Sequence, residues 1–457
     1  MKVPEQPPVL TDHLQGLINE ENTDAILDLS IKIASSEIKS FDGKGRYLHW
    51  EKHKHLEPPE GYTQHLHWFA TKSARQKIYE PLPFQSVNGE HFQYCLPSPV
   101  FQDIVWVSEQ AKGAVAADPI IKDPKTKQTY LISSLIDEAI SSSQLEGAST
   151  TRPVAKEMIR TSRKPKDKSE QMIVNNYQAM LFIKEHVEDD LSPSLIFELH
   201  KILTEDTFDD GSEHMAGCFR TVENDIAVVD YMTGKTLHYP PPVASLPERL
   251  QSLCDFANEK SGDKRMLPII RAIVVHFMIG YDHPFFDGNG RTARALFYWV
   301  MAKSGFWLME YVAISAVIKE SLPSYLKAYL YTEADQNDVT YFIIHQLNVI
   351  RKAIDGLHKY LLQKTKDLQE TEAALTGSPI AGTLNYRQLA VLNNAIKNPG
   401  AQYTIKSHQS SHAVAYQTAR TDLLVLSDQY GLLMKIKEGK TDIFVSPAGI
   451  ADRIKKL

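Results

Sequence analysis

The sequence predicts a mainly α protein: a helical bundle broken by one small β-hairpin and followed by a compact module of short helices and two strands. Three observations carry that prediction. Apolar residues recur at helical spacing through residues 131–362. Within that run, LPIIRAIVVHFMIG (267–280) is apolar on nearly every side, as a central buried helix is. After residue 375, three short helical patterns precede two extended stretches.

Taken in order, residues 1–125 are rich in aromatics, His and Pro. Turn signals stand at DGKG, EPPEG and VNGE, with weak alternation at 47–49 and 92–96, so a lead-in of loops and short strands is expected. His53, His55, His65 and His67 form two HxH pairs, which on strands would set two imidazoles on one face as metal ligands. No carboxylate pattern completes such a site, so they are read as hydrogen-bonded or surface histidines. Helices are then expected at LISSLIDEAISSSQ, QMIVNNYQAMLFIKEHV, SLIFELHKIL, LPERLQSLCDFANE, LPIIRAIVVHFMI, ALFYWVMA and 339–362. The interruption is ENDIAVVDYMTGKTLHYPPP, where Ile226, Ala227, Val228 and Val229 lead into Thr233-Gly234 and a second extended stretch, a hairpin over 226–239. Beyond the small-residue linker ALTGSPIAGT come helices at 386–397, 405–408 and 414–429, then strands at 432–437 and 443–446: a winged helix-turn-helix pattern, with Gln417, Thr418 and Arg420 on the third helix.

The 457 residues allow about three folded units at the usual ~100–200 residues each. A composition 43% hydrophobic and 23% charged excludes disorder, collagen and coiled-coil rods. Cys95, Cys218 and Cys254 are scattered, so neither a disulfide framework nor a cysteine zinc site is supported, and a reducing compartment is the simplest reading. MKVPEQPPVL lacks the apolar stretch of a secretory signal, and the most apolar segment is short and holds Arg271 and His276; a soluble, cytoplasmic protein without a membrane span is expected. Residues 384–457 hold ten Lys/Arg against five Asp/Glu, a balance of +5 that leaves −11 on the rest of a chain whose net charge is −6. That split suggests separate partners for body and tail.

The chemistry concentrates in HPFFDGNGRTAR, from His283 to Arg294, directly after the buried helix. Gly288-Asn289-Gly290 opens the next helix, where glycine permits φ > 0 and close approach of a ligand, and the helix N-terminus offers unpaired N–H groups to an anion. Arg291 and Arg294, three apart on the first turn, can grip phosphate oxygens from one side. A cationic pair at a helix N-terminus opposes the macrodipole unless an anion sits there. Asp287 is placed to hold Mg²⁺ through one carboxylate, phosphate oxygens and water completing the shell. His283 is the candidate general base, since an imidazole's ordinary pKa of about 6.5 suits proton removal at neutral pH. The segment offers charge neutralisation and a base but no nucleophile of its own, and the chain has no GxxxxGK[ST] loop, so phosphoryl or nucleotidyl transfer outside the P-loop class is predicted.

These residues resemble the Fic-domain signature HPFxDGNGRxxR at every defined position, and the similarity in helical pattern covers about 131–362. The resemblance implies transfer of AMP from ATP to a Tyr, Thr or Ser hydroxyl of a target protein, with pyrophosphate leaving. It gives His283 the proton and Asp287 the Mg²⁺ against the α- and β-phosphates. Gly288, Asn289, Gly290 and Arg291 would cradle phosphates, with Thr292 and Ala293 in the same ATP-binding turn, Arg294 on the γ-phosphate and Phe285 packed beneath the loop. The hairpin 226–239 corresponds to the family's flap, whose edge, with Ile226, Ala227, Val228 and Val229, aligns a target segment by main-chain pairing. Upstream, SSSQLEG places Ser142, Glu146 and Gly147 in a pattern similar to the family's inhibitory motif: the Glu146 carboxylate would pair with Arg294, occupy the γ-phosphate position and restrain the enzyme.

The expected domains are a lead-in at 1–125, a Fic domain with its inhibitory helix at 126–375 and a winged helix-turn-helix at 376–457. Expected partners are ATP, a target protein that includes the chain itself, DNA through the C-terminal module, and a second copy in a homodimer. Two alternatives stand beside the adenylyltransferase: removal of AMP, or transfer of another phosphate-containing group, on the same fold; and an ATP-sensing DNA-binding regulator.

Overall fold

In a computed structural model, described for residues 3–8, 31–32, 38–60, 62–112, 124–209, 211–223, 226–230, 233–262, 265–375, 380, 382–412, 414–438 and 441–454, the chain is mainly helical with a few short strands. In chain order the elements are α1 (Trp50–His53), α2 (Gln64–Gln76), β1 (Glu80–Gln85), β2 (His91–Tyr94), α3 (Ser98–Lys112), α4 (Pro124–Leu145), α5 (Arg152–Thr161), α6 (Lys168–Glu185) and α7 (Pro193–Thr204). There follow β3 (Val228–Val229), β4 (Thr236–His238), α8 (Leu246–Ala257), α9 (Pro268–Asp282), α10 (Asn289–Lys303), α11 (Ile314–Glu320), α12 (Leu322–Ala334) and α13 (Thr340–Leu375). The last are α14 (Tyr386–Lys397), β5 (Gln402–Thr404), α15 (Ile405–His412), α16 (Tyr416–Leu424), β6 (Met434–Glu438), β7 (Thr441–Val445) and α17 (Ile450–Ile454).

These elements fall into two compact units, one of Met1–Lys112, Gln178–Trp307 and Ile314–Arg351, the other of Gly113–Tyr177, Leu308–Ala313 and Lys352–Leu457. In the first, α9 is the centre. It starts on Pro268, whose fixed φ suits a first helical position, and every residue from Ile269 to Ile279 is buried, which is why its sequence shows no polar face. It stops at Asp282 because Pro284 cannot continue the ladder. Gly280 lies where a Cβ would meet the Tyr329 hydroxyl at 2.3 Å, so the absent side chain lets α9 and α12 close on each other. α9 packs along α10, with α8 and α7 beside them.

The lead-in differs from its expectation. His53 ends α1 with His55 in the turn after it, and His65 and His67 lie on α2, so neither HxH pair is on a strand, and no group of three metal-ligating side chains exists among the described residues. His55 and His65 are exposed, His65 against the Trp50 ring, while His53 and His67 pack together. His53 Nε2 lies 3.2 Å from Thr71 Oγ1 and its ring 4.4 Å from that of His67. His49, expected in an extended run, caps α1 and stacks on Tyr331. The alternation at 92–96 marks β2, paired antiparallel with β1. Residues 9–30 of the lead-in lie outside the described residues.

In the second unit, Ile136, Ala139 and Ile140 of α4 close on Ala155 and Met158 of α5 and on Ile173 of α6. A second core joins Leu389 and Leu392 of α14, Ala419 and Leu423 of α16, Leu426 and Phe444. Asn385 and Gln388 form a capping box at the start of α14, whose bounds are those the spacing predicts. The helix expected at 405–408 runs on to His412, and the one expected at 414–429 is α16 followed by a π-helical turn, Val425–Gln429. Strand β5, which no alternation announces, joins a three-stranded sheet of order β5-β7-β6, with Tyr403 opposite Phe444 and Ile436 opposite Ile443. Helix α15 packs against α4 and α5 as well as α16. The linker residues 376–379 and 381, and the expected turn at Gly439, lie outside the described residues. No helix among the described residues is long and apolar enough to cross a membrane.

Candidate active site

His283 is the C-cap of α9 in the left-handed region (φ 45°, ψ 54°), which an L-residue occupies only at a cost. Of the carbonyls that this helix end leaves orphaned, those of Ile279, Gly280 and Tyr281 find partners, as do those of His283 and Pro284 beyond it. Ile279 accepts from the His283 N–H (3.0 Å), Gly280 from His283 Nδ1 (3.3 Å), Tyr281 from His238 Nε2 (2.7 Å), and His283 and Pro284 from Arg220 through Nε (2.8 Å) and the backbone N–H (2.9 Å). An Nδ1–H facing Gly280 leaves the imidazole lone pair on Nε2, the tautomer a general base needs. Asp282 pairs with Arg249 (2.6 Å); its burial raises the carboxyl's pKa and the guanidinium opposes that rise. Arg220 and Arg249 also set positive charge at a helix C-terminus, where the macrodipole favours it.

The following loop is clamped from below. Phe285 is fully buried, stacked at 3.8 Å on the His200 ring. His200 Nε2 donates to the Asp287 carbonyl (2.8 Å) and its Nδ1 accepts from the Gly217 N–H (2.9 Å), so the ring is neutral; burial takes its pKa down to about 4. Asn289 spends its side chain on the backbone of Phe285, accepting from its N–H (2.9 Å) and donating to its carbonyl (2.8 Å). Gly288, at φ 81°, is where a Cβ would lie 2.8 Å from Thr204 Cγ2. The Thr292 hydroxyl turns back on the Gly288 carbonyl (3.0 Å), and Ala293 is fully buried.

What remains on offer is anionic chemistry at the start of α10. Asp287 accepts from the Gly288 N–H (2.6 Å) and from Arg291 (3.0 Å), yet its side chain is 46% exposed. One half-exposed carboxylate with lone pairs to spare suits a Mg²⁺ ion that arrives with phosphate oxygens, and does not make an all-protein cage. Arg291 is buried and also donates to the Leu203 carbonyl (2.8 Å). Arg294 is buried, and its charge adds to the burial that lowers the His276 imidazole well below its ordinary value. The first-turn N–H groups at Asn289 and Gly290, with the dipole behind them, are of the kind that suits an anion.

His283, Asp287 and the α10 turn thus lie together in one unit. The hairpin is in the same unit: Val228 pairs with His238, Val229 with Thr236, and Val229 is exposed while Ile226, Ala227 and Val228 are half-buried. Tyr231 and Met232 of the hairpin lie outside the described residues. Ser142, Glu146 and Gly147 belong to the other unit, at the end of α4: Ser142 is buried, Glu146 exposed, and Gly147 has φ 95°. Sequence reasoning passed over His200, Arg220, His238 and Arg249. A histidine in SLIFELHKIL or before a proline run carries no spacing signal, and an arginine's carbonyl partners are not adjacent in sequence.

Residues 190–301 match the sequence model described as the Fic/DOC family. Curated relatives include the protein adenylyltransferase fic-1 of Caenorhabditis elegans, 33% identical over 126 residues (28% of this chain, 22% of the relative). Another is the protein adenylyltransferase Fic of Nematostella vectensis, 39% identical over 70 residues (15% and 16%). The chain therefore spans under a quarter of the length of these relatives. A solved Fic family protein from Desulfovibrio desulfuricans G20 is 16% identical, with TM-score 0.48, covering 76% of this chain and 97% of its own.

Proposed function

We propose, for a chain that carries a Fic/DOC-family domain at residues 190–301, that it is a nucleotidyltransferase moving AMP from ATP to a hydroxyl side chain of a protein. The observation that carries this reading is the juxtaposition of an imidazole held in a strained cap, a half-exposed carboxylate and a helix N-terminus over twelve residues, His283 to Arg294.

His283 Nε2 takes the proton of the incoming hydroxyl, whose oxygen attacks the α-phosphorus as the bond to pyrophosphate breaks. Asp287 would hold Mg²⁺, which supplies charge neutralisation to the phosphates when bound. The N–H groups of Asn289 and Gly290 bind phosphate oxygens beside the close-packed Gly288, while the Asn289 side chain, the Thr292 hydroxyl and Ala293 frame the loop. Arg291 and Arg294 stabilise the negative charge of the nucleotide. The flap at Ile226–Val229 presents the target segment, and Glu146, with Ser142 and Gly147, restrains the reaction.

ATP labelled at the α-phosphate or at the γ-phosphate tests the reaction class. Label on protein from the α-position is expected; label from the γ-position alone overturns nucleotidyl transfer. His283→Ala should lower incorporation by about 10²–10⁴-fold, the range of a lost general base. Intact-mass measurement of Glu146→Gly with ATP and Mg²⁺ should show more AMP per chain than wild type, and equal incorporation removes the restraint.

A further inference from the structure

His238 lies outside the signature segment, yet it joins the two parts that the reaction must bring together. It is the last residue of β4, buried, opposite Val228 across the hairpin. Its Nδ1 lies 2.7 Å from Glu333 Oε2 on α12, and its Nε2 lies 2.7 Å from the Tyr281 carbonyl, two residues before His283. A carbonyl oxygen only accepts, and so does a carboxylate. Both ring nitrogens must therefore carry hydrogen, which makes His238 an imidazolium.

We propose that His238 is a positioning residue: as an imidazolium bridging the Glu333 carboxylate and the Tyr281 carbonyl, it fastens the flap to the end of α9 and so sets the target strand and the His283 turn in one frame. The Tyr281 carbonyl is one of the orphans that α9 leaves, so losing the bond costs a buried acceptor its partner as well as freeing the hairpin.

Charge around the ring agrees. The groups that face it are Glu333 from α12, Tyr281 and Asp282 from α9, and, around Asp282, Arg249 from α8 and Arg220 from the strand-entry loop. Burial works against the charged ring, but the Glu333 hydrogen bond and charge, with the Tyr281 carbonyl and Asp282, outweigh it and raise its pKa. The bridge is present below that raised pKa and is lost as pH rises through it. The tie is a property of the fold; its consequence for transfer rests on the nucleotidyltransferase reading.

Three measurements on the full chain test it. Nitrogen-15 histidine NMR should show one histidine doubly protonated above the pH at which an ordinary imidazole has lost its proton. That signal should vanish in His238→Gln and titrate at lower pH in Glu333→Gln. Hydrogen-exchange protection of the β3–β4 amides, corrected for intrinsic pH dependence, should fall about tenfold in His238→Gln at neutral pH, equivalent to about 1.4 kcal/mol. The wild type should show the same fall above the His238 pKa. Self-labelling from α-labelled ATP should lose rate over that pH interval with an unchanged apparent KM for ATP, and the limb should move to lower pH in Glu333→Gln. A His238 with a single N–H, or hairpin protection with the same pH course in wild type and both variants, overturns the proposal. Should His238→Gln not fold, Glu333→Gln decides it. Absence of labelling in a chain whose NMR and exchange behave as expected counts against the transferase reading and not against the tie.

Discussion

At the scale of single residues, the loop between α9 and α10 shows which parts of a site a sequence can announce. Gly288 is legible, because a glycine opening a helix asks for a positive φ, and φ is 81°. The added reason for it is not legible: a methyl there would strike Thr204 Cγ2 at 2.8 Å and approach His200 Nε2 at 3.3 Å, atoms more than eighty residues upstream. Gly288→Ala therefore meets two costs, a left-handed alanine at roughly 1–2 kcal/mol and a displaced loop. It should leave the chain folded by circular dichroism while cutting α-label transfer to the level of His283→Ala; wild-type labelling would show that the loop tolerates a shift. Asn289 gives the opposite lesson. Its place in the motif suggests a phosphate contact, yet its amide is committed to the Phe285 backbone, so only its N–H is left for an anion.

Among elements, long apolar-striped helices read correctly because burial on one face leaves a periodic mark, whereas α1 and α2 read as loops and strands because they are short or bury polar and charged side chains beside apolar ones. Lys72 and Arg75 of α2 are 4% and 0% exposed, and they break the stripe that periodicity looks for. Their partners come from three places in the chain: Asp335 directly after α12, Tyr341 on α13 and Tyr47 before α1. Lys72 Nζ lies 2.8 Å from Asp335, Arg75 donates to the Tyr341 hydroxyl (2.7 Å) with its guanidinium 3.6 Å over the Tyr47 ring, and Tyr341 donates to Asp335 (2.7 Å). Burial alone would raise the Asp335 pKa; the Lys72 and Arg75 charges outweigh it and lower it. A depressed carboxylate stabilises the fold above its unfolded pKa of about 3.9 and loses that contribution as pH falls through the folded value. Asp335→Ala leaves two buried cations facing each other, so it should cost about 3–5 kcal/mol in urea unfolding at pH 7. The same variant should lose less stability on acidification than the wild type, and parallel acid curves would show that Asp335 is not the group responsible.

For the whole molecule, composition suggested a basic tail set apart from an acidic body, but packing follows surfaces rather than charge totals. Helix α15 packs on α4 and α5, which places the C-terminal module in one folding unit with the helix that Glu146 directly follows. Nothing in the sequence of α15 states that partner, since a short amphipathic helix shows which face it buries and not against what. Asp422 is the hub of the module. It accepts from Arg387 (2.6 Å), Asn385 (2.8 Å) and His408 Nε2 (3.1 Å), and His408 sits on α15. Burial would raise the Asp422 carboxyl, but the His408, Arg387 and Asn385 hydrogen bonds hold it well below the usual carboxylate range. Asp422→Ala leaves Arg387 without its main partner and frees α15, at a cost of about 3–5 kcal/mol to the module. If α4 and α5 depend on α15 for part of their burial, hydrogen exchange should rise in peptides of α4 and α5 as well as in α14–α16, while α9 and α10 keep wild-type protection. If the proposed Glu146 restraint operates, the same variant should then raise self-labelling towards the level of Glu146→Gly, because Glu146 directly follows α4. Exchange confined to α14–α16 would mean that α4 holds its own end without the module, and that a ligand of the C-terminal unit has no route to Glu146 through this packing.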